Sequence, residues 1–177
     1  MTLKTIAILL LIFPMAIAQT GEKPDPWQPV KYFEGSWTGT STGKAGEGQG
    51  ERVYEFIMNG AYLYCRNSMT FAPQEKNPKG ETHEDWGFFS HDNARNMLVM
   101  RQFNIERFIN RYTLDSLSND GKTIHMNSEE SENAPRGLRA RYKFEIKSDD
   151  EFIETFELGF PDKEFSCWMT NTWRRKR

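Results

Sequence analysis

His83, Glu84 and Asp85 stand together near the middle of the chain, with Trp86 directly after them. An imidazole beside two carboxylates is a side-chain set for acid–base chemistry near neutral pH. In an enzyme, His83 with Glu84 or Asp85 would form the catalytic group. Glu81, His83 and Asp85 also alternate so that three potential metal ligands share one face of a strand. Strands often repeat polar residues outward, and His91 and His125 have no partner at ligand spacing, so no metal site is expected. Further along, Arg101 and Asn110 lie among Phe103, Phe108 and Tyr112. A charge on an inward face must be paired, because burying it alone is very costly. A carboxylate from 81–90 meeting Arg101 would make a polar floor in an aromatic pocket. The candidate ligand-binding residues are therefore Arg101, Asn110, Tyr112, Phe103, Phe108, Trp86 and His83.

Which side chains meet depends on the turns. A two-residue turn at Ile105-Glu106 puts Val99, Arg101, Phe103, Phe108, Asn110, Tyr112 and Leu114 on one inward face. For 81–90 two registers are open. A five-residue turn after it directs His83, Asp85, Gly87 and Phe89 inward, with Asp85 across from Arg101. A four-residue turn directs Glu84, Trp86 and Phe88 inward, with Glu84 across from Arg101. A slip of one residue exchanges the faces entirely.

The elements that must hold these residues are strands. Apolar residues recur with period two, and turn signals interrupt them regularly. A strand around Trp37 is followed by a Gly-rich connection (Gly43, Gly46, Gly48, Gly50). Residues 52–58 stop at Asn59-Gly60, the strongest two-residue hairpin signal, and return as 61–71. Tyr54, Phe56, Leu63 and Cys65 then share a core face. Further strands fall at 81–90, 96–104, 107–116, 122–131, 138–147, 152–159 and 164–173. In the 138–147 strand Leu138, Ala140, Tyr142, Phe144 and Ile146 alternate with charged residues. Arg139, Arg141 and Lys143 are placed to meet Glu154 or Glu157 outside the sheet. A short helix within 26–34 is the only helical segment compatible with the pattern. Ten consecutive strands with short turns form an up-and-down meander, which closes into an all-β barrel and so removes its edges. A barrel of eight to ten strands has room for one small ligand.

Residues 1–18 read as a signal peptide: Lys4, an uncharged apolar run from Ile6 to Met15, then Ala16-Ile17-Ala18. The run is too short to span a bilayer. Cleavage near Ala18-Gln19 predicts a secreted or periplasmic protein. A Pro-rich extended lead-in occupies 19–31 and a single barrel domain 32–177. The formal net charge is −2 and the basic tail from Arg174 is short, so nucleic acid is not an expected partner. Cys65 and Cys167 suit neither a disulfide framework nor a zinc site, although an oxidising compartment would allow them to pair. No nucleophile elbow, phosphate loop, dinucleotide fingerprint or zincin motif occurs. Apolar residues on both faces of the fourth and fifth strands (Trp86, Phe88, Phe89, Leu98, Met100) are compatible with a homodimer face.

With Gly35-Ser36-Trp37 entering this meander and basic residues closing the last strand, the chain resembles the calycin superfamily of lipocalins, fatty-acid-binding proteins and nitrobindin-like barrels. The resemblance runs from about Tyr32 onward, and the strand count is similar to the ten-stranded branches. It implies that Gly35 and Trp37 close the barrel base, with Arg174 or Arg175 packed across the Trp37 ring. Nitrobindins begin G-x-W-x-G-x-G and hold haem through a late His. Here Ser41 stands at the third Gly and no His follows His125. No cofactor is expected. The His83–Gly87 run resembles one found in secreted bacterial lipocalin-like domains of unknown function. The leading expectation is a secreted barrel binding a small, partly apolar ligand, with an acidic or polar end at Arg101. A barrel enzyme is the alternative, and a haem barrel the third.

Overall fold

The computed structural model describes residues 25–177. The leader at 1–18 and its cleavage point lie outside the described residues. Ten strands follow one another: β1 Gly35–Gly43, β2 Gly46–Ile57, β3 Tyr62–Phe71, β4 Glu81–Asp92, β5 Met97–Asn104, β6 Ile109–Leu117, β7 Thr123–Glu132, β8 Arg139–Ser148, β9 Glu151–Gly159 and β10 Ser166–Arg175. Each pairs antiparallel with its sequence neighbours, and β1 pairs with β10, so the sheet is a closed up-and-down barrel. Closure leaves no unpaired strand edge.

The hairpin chemistry operates as the residues demand. Asn59 and Gly60 take φ of 56° and 79°, and Ala61 N–H donates to Met58 O at 3.2 Å. Positive φ at both central positions is the type I′ geometry that Asn-Gly favours. In the resulting register Tyr54 faces Cys65 and Phe56 faces Leu63, all toward the bore.

The Gly-rich stretch is strand rather than connection. Gly43 pairs with Gly46 across a two-residue turn, and β2 runs from there. The glycines clear space for rings: a Cβ on Gly39 would fall within the Trp173 indole, and one on Gly48 would meet the Phe71 ring at 2.7 Å. Glycine within a strand marks such close approach.

One end of the bore is plugged. Trp37 is fully buried, and its indole N–H donates to Phe33 O at 2.7 Å. Phe152 meets its ring edge-on at 4.8 Å, and the Arg175 guanidinium lies 4.2 Å above it. Arg175 takes this place, and Arg174 does not. Register pairs Trp37 with Arg175, so both point inward, whereas Arg174 points out toward Glu151. From Asp25, where the lead-in enters view, the chain is wound into turns and a single 3-10 turn at Lys31–Phe33, not extended. Val30 and Phe33 press into the same end. Cys65 on β3 and Cys167 on β10 are separated by β2 and β1, and both are free thiols.

Replacing Gly39 by Ala should force the Trp173 ring aside. We expect a loss of roughly 1–3 kcal/mol from overpacking, read as a lower urea midpoint with an unchanged slope.

Candidate functional site

Away from the plug the bore opens into a cavity of about 310 Å³. It lies toward the end bearing the longer connections, 72–80, 133–138 and 160–165, and its apolar wall includes Met69, Phe71, Phe108, Phe156 and Leu158. Its floor is a network of buried polar side chains supplied by six strands.

Arg52 on β2 and Glu154 on β9 form the centre, at 6% and 2% exposure. They are joined by a short ion pair between Arg52 Nη1 and Glu154 Oε2 and a second contact from Nη2 to Oε1 at 3.3 Å. Trp173 Nε1 donates to Glu154 Oε2 at 2.9 Å, and its ring stacks 4.2 Å from the Arg52 guanidinium. Arg52 also donates to Asn67 Oδ1 and to the Tyr54 hydroxyl, each at 3.2 Å. Burial alone would lower the Arg52 pKa, but the Glu154 charge holds it well above its ordinary value. A paired, fully hydrogen-bonded arrangement is what makes two such charges tolerable away from water.

From Asn67 the network crosses to β4. Asn67 Nδ2 donates to Asp85 Oδ2 at 2.7 Å, and Gln102 Nε2 donates to Asp85 Oδ1 at 2.9 Å. Gln102 also reaches the Tyr142 hydroxyl at 3.1 Å. Burial would raise the Asp85 pKa; the bonds from His83 and Gln102 and the Arg52 charge bring it below the usual carboxylate range. His83 Nε2 lies 3.3 Å from Asp85 Oδ2, and His83 Nδ1 lies 2.8 Å from Glu106 Oε1 at the rim. Burial would lower the His83 pKa, yet these two carboxylates raise it to about 9. His83 is therefore an imidazolium at neutral pH, a proton donor rather than a base. Cys65, beneath the network, has its thiol pushed up to about 12 by burial and is unreactive as a nucleophile.

The structure sorts the sequence-derived set. His83, Phe108 and Asn110 line the cavity. Asp85 is inward and buried, while Glu84 is outward and exposed. Tyr112 is fully buried but does not border the cavity. Arg101, Phe103 and Trp86 belong to the outer wall. Arg101 is exposed and donates to Ser90 Oγ at 3.1 Å, and Trp86 and Phe103 are 51% and 44% exposed. For Arg101 and Phe103 the cause is one residue in one turn. Asn104 N–H bonds Phe108 O at 3.0 Å across a three-residue loop, with Arg107 at φ 73°. An extra αL residue of this kind makes the bulged three-residue hairpin. Asn110 consequently pairs with Gln102 in place of Arg101, and β5 presents its other face. Strand β4 runs to Asp92, past the expected end at 90, so its four-residue turn is 93–96 and pairs Phe88 with Arg101, both outward; neither Glu84 nor Asp85 meets Arg101.

Glu154 is also inward, while Glu157 pairs with Arg141 outside as alternation suggested. Arg52, Asn67, Gln102 and Asn171 were not singled out by sequence reasoning, Ser41 was noted only as a departure from a Gly pattern, and Glu154 was expected outside the sheet, where its pairing with Arg52 shows it is not. Their signal was present: Arg52 stands two before Tyr54, Asn67 lies between Cys65 and Met69, and Glu154 lies between Phe152 and Phe156. Each is a polar residue in step with a core-facing series.

Haem does not fit this floor. His83 is the only cavity-lining imidazole among the described residues, and both of its ring nitrogens are engaged by carboxylates. Among the described residues no three His, Cys, Asp or Glu side chains converge as metal ligands would.

No protein-family model and no curated protein matches the chain. Among solved structures it is similar to the crystal structure of Rv2717c from M. tuberculosis, with a TM-score of 0.58 and 16% identity over 86% of this chain and 98% of that one. A redesigned β-barrel, mFAP0, bound to DFHBI, aligns with a TM-score of 0.44 and 11% identity over 82% of this chain and 100% of that one. The first likeness shows the barrel fold.

Two outcomes test the network. Glu154→Leu should cost about 3–5 kcal/mol by stranding Arg52, and adding Arg52→Met should recover most of it, in a denaturant double-mutant cycle. Because the His83 pKa is raised in the fold, its stabilisation is complete below about pH 6.5 and is lost as pH rises through about 9. His83→Gln should remove about 2–3 kcal/mol of that pH dependence, read as a urea midpoint that no longer falls across the window.

Proposed function

We propose that this chain is an exported barrel of the calycin kind that holds one small, partly apolar molecule. The cavity carries the reading. One end of the bore is packed solid around Trp37, Phe33 and Phe152, while the other encloses about 310 Å³ between apolar walls and a polar floor. Ligand sites commonly have this size and this mixture of apolar lining with a few convergent polar groups. The leader pattern at 1–18 supports export. The Trp37–Arg175 stack supports kinship with calycin barrels. The bound molecule's polar end lies at the buried polar level of the cavity, not at Arg101 on the outer wall.

A second reading has its own observation. His83, protonated and held between Asp85 and Glu106 at the cavity wall, has the placement of a general acid. An NMR titration would show its imidazole resonances moving near pH 9. Movement near 6.5 would remove the acid role along with the network geometry that supports it.

A homodimer would use the outer face of β3–β5. There Tyr64, Trp86, Phe88 and Phe103 form a continuous aromatic series with ring centroids 5.2 to 6.2 Å apart. Light scattering of the wild type and of Trp86→Glu tests it: loss of a dimer in the variant is the expected result, and a wild-type monomer at high concentration would refute it.

Native mass spectrometry of the purified protein, offered small amphiphiles, tests the main reading. A one-to-one adduct is expected, and Ala140→Leu, which extends a side chain into the cavity, should weaken it about tenfold or more. Absence of any adduct, with Ala140→Leu simply stabilising the protein, would overturn it.

A further inference from the structure

The polar side chains buried in the cavity wall fall into two sets. Those on β2–β5, β8 and β9 are committed to one another. Both Glu154 oxygens are bonded, by Arg52 and Trp173, and both Asp85 oxygens are bonded, by Gln102, Asn67 and His83. The second set is a single cross-strand pair. Ser41 on β1 and Asn171 on β10 are directly opposite in register, both line the cavity, and they are 1% and 2% exposed. Ser41 Oγ and Asn171 Oδ1 have no hydrogen-bond partner among the described residues. Asn171 Nδ2 reaches only the Met169 sulfur, at 3.7 Å. Buried side-chain polar atoms without partners are uncommon because each keeps its desolvation cost.

Charge narrows what could complete this pair. Arg52 is matched by Glu154, and His83 by Asp85, while Glu106 and Glu81 add negative charge at the rim. Among the described residues, no cation facing the cavity is left over for a carboxylate. Neither buried carboxylate among the described residues, Asp85 or Glu154, keeps an unbonded oxygen for an ammonium. An ionic head placed here would lose its hydration without a counter-charge. An uncharged head that both donates and accepts would satisfy Ser41 Oγ and the Asn171 amide together.

Resting on the ligand-binding reading, we propose that Ser41 and Asn171 read the ligand's polar end and select an uncharged carboxamide or hydroxyl head. The apolar remainder lies along Met69, Phe156 and Leu158, which share the cavity with them. The charged floor gives the pocket its shape and fixes its depth; the neutral pair gives the specificity.

Calorimetric titration of the protein expressed from its full sequence, at pH 7, separates the possibilities with four probes of one chain length: octanamide, 1-octanol, octanoate and n-octylammonium. The two neutral probes should bind at least about tenfold more tightly than either ion. Asn171→Leu should weaken octanamide about tenfold and leave the unfolding temperature unchanged or higher, since it removes orphaned polar atoms without stranding a partner. Ser41→Ala supplies a second variant with the smallest change in volume, and it too should weaken octanamide without loss of stability. Binding of an ionic probe as tight as octanamide would overturn the head-group selection while leaving a ligand-binding barrel. Octanamide affinity unchanged in both variants would do the same. Failure of all four probes to bind the wild type would overturn both readings.

Discussion

Arg52 and Glu154 hold opposite charges in nearly complete burial, and the interior is organised around keeping them paired. The strands that carry them, β2 and β9, are not hydrogen-bonded to each other; β1 and β10 lie between. The contact therefore runs across the bore rather than along the sheet. On one side of it lie Tyr54, Phe33, Phe144 and Phe152, packed ring against ring. On the other lies the cavity. A pair of ions costs several kcal/mol to desolvate, so it persists only where geometry and further hydrogen bonds offset that loss. Trp173 supplies both, an N–H to Glu154 and a ring face to Arg52. Trp173 in turn needs Gly39 beneath it, which ties the glycines of β1 to the charges of β2 and β9.

The network extends from this pair toward the rim with alternating sign: Glu154, Arg52, Asp85, His83, Glu106. Asn67 and Gln102 act as neutral spacers that fill the remaining lone pairs of Asp85. Alternation is what allows so many ionisable groups to crowd one wall. It also fixes the protonation of His83, because a neutral imidazole would leave Asp85 and Glu106 on either side of it without a cation. The consequence for recognition is counter-intuitive: the four charged groups of the floor, Glu154, Arg52, Asp85 and His83, offer a ligand no net charge, and the excess is negative and lies at the rim.

Much of the architecture was legible in the sequence because both its signals are local. Eight of the ten strands fall within about two residues of their period-two segments, and β1 surrounds Trp37. Asn59-Gly60 sets its hairpin through backbone preference alone. The β8 alternation of Leu138, Ala140, Tyr142 and Phe144 was equally direct, and these side chains do face inward. β2 was the exception, since a glycine-rich strand has no side chains from which to read a period. The site was less legible because it depends on register. One αL residue at Arg107, where glycine would have announced the bulge, turned Arg101 out and Gln102 in. Arg52 and Glu154 were hidden differently: their side-chain types suggest a solvated face, and only their step with Tyr54, Phe152 and Phe156 reveals that they are inside.

A closed barrel of ten strands encloses more space than its backbone can fill, so inward side-chain size decides where a hollow remains. The gradient is visible along single strands. β1 turns Trp37, Gly39, Ser41 and Gly43 inward from the plugged end to the open one, and β8 read in the same direction presents Phe144, Tyr142 and Ala140. β10 runs Trp173, Asn171, Met169. Large rings are spent at one end, and small or polar residues take over where the cavity begins. The hollow is thus a property of the sequence laid onto the fold, and larger apolar groups at Ser41 and Ala140 would narrow it within the same barrel. That the smaller residues coincide with the unpartnered amide and hydroxyl, at one level of the bore, ties space and unmet hydrogen bonding to a single place.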